Sequence, residues 1–356
     1  MGIKYSLPES FTSYRDTVRV ELKKVIDSCP STLCNMLRYH MGWQDEHGHS
    51  CSRESGKFIR STLCLVSCQA VGGDTSQVMP AAAAVELIHN FSLIHDDIED
   101  ASYERHHRPT VWKLWGQSQA INAGDAMFTL AYLALLNLKE KGIADEKIAS
   151  STKMLSLACL DLCEGQYLDV EYENRLDTTI EDYLDMAAQK TAALFAVSTS
   201  LGAYLGSEDS KLVDFFHLFG KELGIAYQIY DDILGIWGME ESIGKSVSDI
   251  SQRKKTLPVV YGLQNSKGEA RKRLERLYSQ KSIEGEDITE VTKILDHLGA
   301  RDYAENLSEQ YYYKALAQLE ATRLDTSRQA PLKETACFLL KRDLQEGKCR
   351  KRLLKI

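Results

Sequence analysis

Proline and strand-like patterns are scarce in this sequence. Only 6 of its 356 residues are proline, and few segments alternate apolar and polar residues as a half-buried strand does. Basic residues are outnumbered, 43 against 51 acidic ones, and the resulting net charge of −8 excludes a general attraction for nucleic acid or anionic membranes. No run of 18 apolar residues and no secretory leader pattern occur. We therefore expect a cytoplasmic protein without a membrane span.

Metal-binding and disulfide-framework spacings are also missing from the cysteines. The chain has nine cysteines, and two pairs, Cys64 with Cys68 and Cys159 with Cys163, are four residues apart inside helical patterns. Neither spacing is typical of a zinc site or a disulfide framework. We predict that the cysteines are reduced and packed.

What the chain has in abundance is helical periodicity. Apolar residues recur every three or four positions, and stretches such as AAAAVELIHNFSLIH are apolar on more than one face, as helices inside a large bundle are. With no repeat or low-complexity linker in the sequence, we predict an all-α single domain spanning residues 1–356, a large bundle around a deep central cavity. The predicted helices are 10–28, 57–71, 79–100, 117–140, 144–173, 179–205, 209–237, 257–280 and 288–298, with two more before a short basic C-terminal tail.

Three stretches read as irregular: 41–55, 101–116 and 239–256. Each contains Gly or Pro together with polar and charged residues. Loops of that length in a compact bundle are often functional.

The end of one apolar helix carries a group of acids, in the segment NFSLIHDDIED at 90–100. Asp96 and Asp100 lie one turn apart on one helix face, about 6 Å from each other, and Asp97 points about 100° away. Like charges this close repel unless a cation neutralises them. Mg²⁺ prefers carboxylate oxygens and completes its octahedron with water and substrate phosphates. The motif therefore predicts a metal and a phosphorylated substrate.

A second acidic pair makes a plain solvated helix end a poor explanation of the first. The segment AYQIYDDILG places Asp231 and Asp232 late in another apolar helix. Acids near loops are common when taken singly. Two such pairs at the ends of two apolar helices are better explained by a shared metal site.

Basic residues cluster as though to surround anions. In GKFIR, Lys57 and Arg60 are three residues apart at a predicted helix start, where both would point the same way and free N–H groups add positive potential. His89 precedes Asp96 by two turns on the same face. Further basic residues follow in the loops and in the QKTAALF segment: Arg105, Arg108, Lys190, Lys245, Lys254 and Lys255.

Seven segments together resemble the trans isoprenyl diphosphate synthases, of the short-chain geranylgeranyl or farnesyl type. They are GKFIR, HNFSLIHDDIED, RHHRPTVW, CEGQYLD, QKTA, YQIYDDILG and GKSVSDISQRKKTLP, and they span roughly residues 50–265. The resemblance implies an isoprenoid synthase bundle, a homodimer and three Mg²⁺ ions held between two aspartate-rich motifs. It implies a prenyltransferase that joins an allylic diphosphate to isopentenyl diphosphate.

The resemblance also implies roles for residues at matching positions. Asp96, Asp100 and Asp231 match metal ligands, with Asp97 beside them as part of the catalytic motif. Lys57, Arg60 and His89 match the site for isopentenyl diphosphate. The positions that hold or orient the allylic diphosphate match Arg105, Lys190, Thr191, Gln228, Lys245 and Lys254, with Lys255, Asp232 and Gln166 as weaker candidates.

Two positions depart from the family pattern. Position 235 is Gly where the second motif usually has a third aspartate, which leaves one metal ligand open. Position 106 is His where the family has the second arginine of a pair, and Arg108 is a candidate to offset that loss.

Product length is read from the helix that carries the first motif. Phe91 precedes Asp96 by five residues, about 7.5 Å along the helix, with the smaller Ser92 beside it and Ile88 one turn deeper. In the family, an aromatic residue at the fifth position alone resembles synthases that stop at C20. We expect geranylgeranyl diphosphate, with farnesyl or C25 diphosphate as alternatives; the other reading of Phe91 is an ordinary core residue.

Two other functions stay open on the sequence alone. A terpene synthase on the same fold would suit His106 and Gly235, but it would not need Lys57, Arg60 and His89. A non-catalytic subunit that regulates a partner synthase would be expected to lose part of the first acidic motif, which is complete here.

Overall fold

A computed structural model of the chain describes residues 8–29, 32–51, 56–238 and 249–340. About three quarters of these residues are helical and only four lie in strands, which confirms the predicted all-α class. In chain order the elements are α1 Glu9–Asp27, α2 Leu33–His40, α3 Ile59–Ala70, α4 Thr75–Glu99, β1 Glu104–Arg105, β2 Arg108–Pro109, α5 Val111–Trp115, α6 Gln117–Leu136, α7 Asp145–Tyr172, α8 Ile180–Ala187, α9 Ala193–Gly206, α10 Ser210–Trp237, α11 Leu257–Asn265, α12 Gly268–Tyr278, α13 Glu286–His297, α14 Ala300–Ala321 and α15 Thr326–Leu339. A 3₁₀ segment, Asn137–Lys141, follows α6, and a π-helical turn, Ala188–Ala192, joins α8 to α9.

Most long helices lie where the periodicity predicts them, and the differences have local causes. Helix α4 begins at Thr75 rather than at 79, because the Asp74 side chain accepts a hydrogen bond from the N–H of Ser76 and caps the helix there. Pro80 is thereby placed inside the helix. The predicted helix 257–280 is in fact two, α11 and α12, with a break at Ser266 and Lys267.

The irregular stretch predicted at 101–116 contains ordered structure that the sequence analysis missed. Strands β1 and β2 pair antiparallel, Arg105 opposite Arg108. The two residues between them, His106 and His107, have positive φ angles of 52° and 57°. Such a turn usually requires Asn or Gly, so two histidines there are strained. Short helix α2 was also missed.

Small residues bring the central helices into close contact. Ala81 to Ala84 on α4 are fully buried, and α4 packs against α3, α6 and α9. On α10, a Cβ added at Gly224 would lie 2.5 Å from the Cα of Ala192. Helix α10 is thereby pressed against the π-helical turn, and this contact sets the distance between the elements that carry the site.

Two cysteines differ from the prediction of reduced thiols. Cys29, just after α1, and Cys34 on α2 form a disulfide. The two cysteines are five positions apart, and the bond ties the end of α1 to the start of α2. The prediction holds for six others in the described part of the chain, which are free: Cys51, Cys64, Cys68, Cys159, Cys163 and Cys337.

Helix α6 has one buried and one exposed apolar face. Ala131, Ala134 and Leu135 are buried, whereas Leu133 and Leu136 are about half exposed, at 49% and 54%. By length and composition, the span Gln117–Lys141 is the one helix in the described ranges that could cross a membrane, and 44% of its most apolar window is buried in the bundle. Helices in the core of a soluble protein can have the same length and apolar composition, so these two properties are weak evidence for a membrane span.

Candidate active site

The first acidic motif lies at the C-terminal end of α4, where the helix dipole disfavours negative charge. Asp97 is buried, and the Arg105 guanidinium reaches it at 2.8 Å. The same guanidinium lies 3.3 Å from Asp96. Burial disfavours the charge of Arg105, but the carboxylates of Asp97 and Asp96 raise its pKa above the ordinary value. Arg105 thus places a positive charge beside both acids.

Lys190 bridges the first motif to a neighbouring helix. Its ammonium lies 3.4 Å from Asp96 and 2.5 Å from Asp169 on α7. Burial opposes the charge, yet the two carboxylates raise the pKa of Lys190 above its usual value. Lys190 sits in the π-helical turn, a feature often found at functional sites. A Cβ at Gly165 would meet the Lys190 N at 2.1 Å, so glycine on α7 permits this approach.

Lys254 reaches the end of the first acidic motif from a loop. Its ammonium is paired with Asp100, and burial of the lysine is outweighed by Asp96, Asp100 and Asp169, which hold the pKa of Lys254 well above the ordinary value. Carboxylates from α4 and α7 therefore converge on two lysines from two other elements.

The two aspartates of the second motif have different surroundings. Asp231 is exposed on α10, whereas Asp232 is buried. Asp232 accepts hydrogen bonds from the Tyr183 hydroxyl at 2.6 Å, the Leu257 N–H at 2.8 Å and the Gln228 amide at 2.7 Å. Burial raises the pKa of Asp232 to about 7 against these bonds. Asp232 thus anchors α8 and α11 to α10 and leaves Asp231 to face outward.

Gln228 and Thr191, both predicted to bind the allylic diphosphate, are joined by a hydrogen bond. The Thr191 hydroxyl donates to the Gln228 carbonyl oxygen at 2.5 Å, while the Gln228 amide is held by Asp232. The orientation of the Gln228 side chain is therefore fixed from both ends.

The candidate site for isopentenyl diphosphate is only partly as predicted. Arg60 is buried, with its guanidinium 5.1 Å from the Phe195 ring centroid. Burial and the charges of Arg60, Arg105 and His40 all lower the pKa of His89 well below its usual value, so these basic groups lie around a neutral His89.

Lys57 departs from the predicted geometry. Helix α3 begins at Ile59, and Phe58 before it has a left-handed backbone, φ 50°. Lys57 therefore lies outside the helix, exposed and 5.6 Å from the Phe338 ring centroid. The expectation that Lys57 and Arg60 share a helix face is wrong, because the chain turns between them.

Arg108, the candidate to offset the missing second arginine, contacts α2 and the segment after it. Its guanidinium donates to the carbonyl oxygens of Tyr39 and Gln44, at 3.0 Å and 2.9 Å, and lies 3.9 Å from the Tyr39 ring centroid. It fastens the hairpin to α2. A cavity of about 220 Å³ lies beside it, lined by residues that include Asp97, Arg105 and His106.

The residues predicted to limit product length lie on α4, below the acidic motif. Ile88 is fully buried and Phe91 nearly so. The Phe91 ring packs edge to face on His95 and on Phe128 of α6, each at 5.2 Å between centroids. The Ser92 hydroxyl donates to the carbonyl oxygen of His89.

Of the weaker candidates, Lys255 contacts a residue outside the two acidic motifs, whereas Gln166 contacts an acid of the first motif. Lys255 donates to the carbonyl oxygen of Glu173, and burial lowers its pKa to about 8. Gln166 donates to Glu99 at 2.7 Å. Lys245 lies outside the described residues.

Two site residues were missed by sequence reasoning. Asp169, the partner of Lys190, ends the CEGQYLD segment, three residues after the candidate that was chosen there. His40 on α2 is hydrogen-bonded to Asn90. The charge of Arg105 lowers the pKa of His40, as it lowers that of His89. No local signal marks His40, since α2 itself was not predicted.

The side chains that could hold a metal ion, Asp96, Asp100 and Asp231, offer the carboxylate oxygens that Mg²⁺ prefers. Carboxylate oxygens predominate, and they need neutralising cations in every state of the protein. Within the described ranges no three His, Cys, Asp or Glu side chains already form a group that would hold an ion by themselves. Lysine and arginine side chains lie between the carboxylates. The arrangement therefore suits an ion that arrives with a phosphorylated substrate.

Comparisons with known proteins give a consistent result. The sequence profile described as polyprenyl synthetase matches residues 43–295. The chain is 38% identical over 300 residues to the geranylgeranyl diphosphate synthase of Mycobacterium tuberculosis, covering 84% of each chain. It is 33% identical to the (2E,6E)-farnesyl diphosphate synthase of Mycobacterium bovis, covering 95% of this chain and 98% of that one. The crystal structure of a polyprenyl synthetase from Streptomyces coelicolor A3(2) superposes with a TM-score of 0.85 at 32% identity, covering 93% and 98%.

Proposed function

The chain belongs to the polyprenyl synthetase family and is a prenyltransferase, and we propose that it condenses an allylic diphosphate with isopentenyl diphosphate to give geranylgeranyl diphosphate. The observation that carries the proposal is the convergence of Asp96, Asp100 and Asp169 on Lys190 and Lys254. Paired acids and lysines of this kind can exchange partners with a metal-bound diphosphate. We infer that the whole chain acts as one domain.

Membership in the family implies dependence on a divalent metal. We propose Mg²⁺, with three ions, and Asp96, Asp100 and Asp231 as the residues that would hold them. The bound metal would supply positive charge that makes the diphosphate a better leaving group. Asp97 would keep Arg105 in place, because the two form a buried ion pair.

Allylic substrate binding is assigned to residues on four elements. Lys190 and Lys254 are charged at neutral pH because nearby carboxylates raise the pKa of each, so both can neutralise the leaving diphosphate. Arg105 supplies a third cation. Thr191 holds Gln228 by a hydrogen bond, which would orient Gln228 toward the same diphosphate. Lys245 remains a prediction for this role.

Isopentenyl diphosphate is assigned to Lys57, Arg60 and His89. After the allylic C–O bond ionises, the C3–C4 double bond of isopentenyl diphosphate attacks the cation through C4, and a proton leaves C2. The departing diphosphate can take that proton, and no protein nucleophile is required. The apolar helices keep water away from the cation.

A C20 product is proposed from Phe91. Its ring is nearly buried and packed on two other rings, and it lies about 7.5 Å along α4 from Asp96. Ser92 beside it is too small to close the path. Farnesyl diphosphate is the nearest alternative product.

A homodimer is proposed from the exposed leucines of two adjacent helices. Leu133 and Leu136 on α6 and Leu157 and Leu160 on α7 are about half to two thirds exposed, between 49% and 66%. If these leucines form one contiguous exposed patch, they would mark a protein–protein interface. Light scattering on the wild type and on Leu160→Glu would test the dimer. A cytoplasmic location stays a prediction from composition, to be tested by cell fractionation.

The test of the function is mass spectrometry of the products. The purified chain is incubated with isopentenyl diphosphate and each of the C5, C10 and C15 allylic diphosphates, with and without Mg²⁺. A C20 diphosphate that requires Mg²⁺ supports the proposal, whereas a C15 product would move the chain to the farnesyl class. Hydrocarbon or alcohol formed from an allylic diphosphate alone would overturn elongation in favour of a terpene synthase. Activity only after a partner synthase is added would indicate a regulatory subunit.

A further inference from the structure

Tyr227 lies on α10 one helical turn before Asp231, so the two side chains leave the helix on the same side. Its ring packs against the buried ring of Phe195 on α9, with 5.3 Å between the centroids and 33° between the ring planes. A glycine lets α10 come this close to α9, since a Cβ added at Gly224 would lie 3.0 Å from the Cβ of Phe195. The position of the Tyr227 ring is therefore fixed by the packing of the two helices.

The same Phe195 ring also contacts Arg60. The Arg60 guanidinium lies 5.1 Å from the ring centroid, so one aromatic side chain carries both Arg60 and Tyr227. Burial and the carboxylate of Asp231 raise the pKa of Tyr227, and the charge of Arg60 acts in the opposite direction. Tyr227 is thus close to a residue assigned to isopentenyl diphosphate and to a residue assigned to the metal, and its hydroxyl keeps its proton at neutral pH.

Two polar groups at this junction are not used by the protein. Within the part of the chain that the structure describes, the Tyr227 hydroxyl has no hydrogen-bond partner, and the Arg60 Nε is buried without one. Such groups are rare in folded proteins, because a buried donor without an acceptor destabilises the fold. Tyr227 is only partly buried, so its hydroxyl can be reached by a bound molecule. An anionic oxygen would accept hydrogen bonds from both donors.

Two other roles for Tyr227 make different demands. Packing alone requires the ring and not the hydroxyl, since it is the ring that contacts Phe195. A general base would need a pKa near neutrality, whereas burial and Asp231 raise the pKa of Tyr227 above its ordinary value. A protonated hydroxyl beside a cation is suited to donating a hydrogen bond to an anion.

We propose that the Tyr227 hydroxyl donates a hydrogen bond to a diphosphate oxygen of isopentenyl diphosphate, beside the Arg60 guanidinium, and so orients that substrate for attack on the allylic cation. The inference rests on the proposed function, because it assigns one more residue to a substrate of that reaction. Arg60 supplies the charge, and the hydroxyl, held in place by the Phe195 ring, supplies direction. Tyr227 would therefore act in substrate binding and not in the ionisation of the allylic C–O bond.

Tyr227→Phe tests the hydroxyl alone, because it keeps the ring on Phe195 and removes one oxygen. Steady-state kinetics of the full-length protein with Mg²⁺ vary each substrate in turn. We expect KM for isopentenyl diphosphate to rise about tenfold, the effect of losing a hydrogen bond to a charged group, with kcat and KM for the allylic diphosphate unchanged. A titration with isopentenyl diphosphate alone, followed by the melting temperature, measures the same loss without turnover.

Tyr303→Phe is the matched control. Tyr303 on α14 is also a partly buried tyrosine packed on another ring, that of Tyr261, with 4.3 Å between the centroids. Besides burial, the group that raises its pKa is Tyr261, which has no assigned role in the candidate site. This variant loses the same oxygen from a similar environment, so its kinetic constants should match those of the wild type.

The outcomes separate this inference from the function it rests on. A Tyr227→Phe protein with the wild-type KM for isopentenyl diphosphate, or with a raised KM for the allylic diphosphate instead, overturns the assignment and leaves the proposed function intact. Equal increases of KM in Tyr227→Phe and Tyr303→Phe would reveal a general effect of packing and overturn it as well. A wild type that does not condense the two diphosphates overturns the proposed function, and this inference with it.

Discussion

Phe91 on α4 and Phe128 on α6 pack edge to face, with their ring centroids 5.2 Å apart. The Phe128 ring also contacts the ring of Tyr132, one turn further along α6, with 5.0 Å between the centroids. Phe91, proposed to end the path of the growing chain, is therefore backed by a second aromatic ring, Phe128. Removing the first ring exposes the second, so the length of the product should respond in two steps.

Phe91→Ala should lengthen the main product by one or more C5 units, because the ring that closes the path is gone. Phe91→Ala with Phe128→Ala should lengthen it further. Phe128→Ala alone is the control and should leave C20 dominant, since Phe91 still closes the path. Product distributions by mass spectrometry test this, and an unchanged distribution in Phe91→Ala would refute the assignment.

Lys190→Gln should lower the melting temperature when Mg²⁺ is absent and lower kcat when Mg²⁺ is present. Without metal, Asp96 and Asp169 lose a shared cation, so the melting temperature should fall. Mg²⁺ should restore more stability in the variant than in the wild type, because it neutralises the same acids. Loss of the cation at the leaving diphosphate should lower kcat about 10²- to 10³-fold.

The matched control for Lys190 is Lys147→Gln. Lys147 is also a partly buried lysine in an ion pair, but its contacts are with Glu208 and with the carbonyl oxygen of Tyr204, neither of which belongs to the candidate site. Its loss should leave kcat and the Mg²⁺ response unchanged. Equal Mg²⁺ responses in the two variants would contradict the role given to Lys190.

The parts of the site that the sequence predicted are those that lie on long periodic helices. The periodicity of α4 places Asp96, Asp97 and Asp100. Asp96 and Asp97 point in different directions: both contact Arg105, but only Asp96 contacts Lys190. A helix of 25 residues constrains every side chain on it. Local pattern is enough in such cases.

The parts that were missed depend on contacts between distant segments. Asp169 looks like any acid on a helix surface until Gly165 allows α7 to touch the turn of Lys190. Likewise, the segment YDDILG does not reveal that Asp232 is tied to Tyr183 and Leu257 while Asp231 stays exposed. The left-handed Phe58, which removes Lys57 from α3, has no signature in a bulky aromatic residue.

His106→Arg should improve binding of isopentenyl diphosphate. His106 is exposed at the tip of the hairpin beside the cavity lined by Arg105, at the position where the resemblance expects an arginine. A charged hydrogen bond gained there would lower KM for isopentenyl diphosphate up to about tenfold. Steady-state kinetics with each substrate varied in turn measure it, and an unchanged KM would remove position 106 from that site.

Arg108→Lys is the comparison for His106→Arg. Arg108 is occupied by two backbone carbonyl oxygens and the Tyr39 ring, and lysine cannot reproduce that planar geometry. We expect a lower melting temperature, because the hairpin is less firmly held to α2. A selective loss of isopentenyl diphosphate binding without loss of stability would instead make Arg108 a substrate ligand.

Stability should rise with pH in the acidic range because of His40. Burial, and then the charges of Arg105, His106 and Arg108, lower the pKa of His40 to about 3 in the folded protein, against about 6.5 in an unfolded chain. Between these values the unfolded chain binds a proton that the folded one does not, so stability is lost as pH falls below about 6.5 and is complete above it. The slope from this one group approaches about 1.4 kcal/mol per pH unit. His40→Gln cannot titrate. Between pH 4.5 and 6.5 its unfolding free energy should depend less on pH than that of the wild type, by an amount that corresponds to the uptake of nearly one proton on unfolding. Urea unfolding across that range measures it, and equal slopes in variant and wild type would show that His40 is not held neutral by the fold.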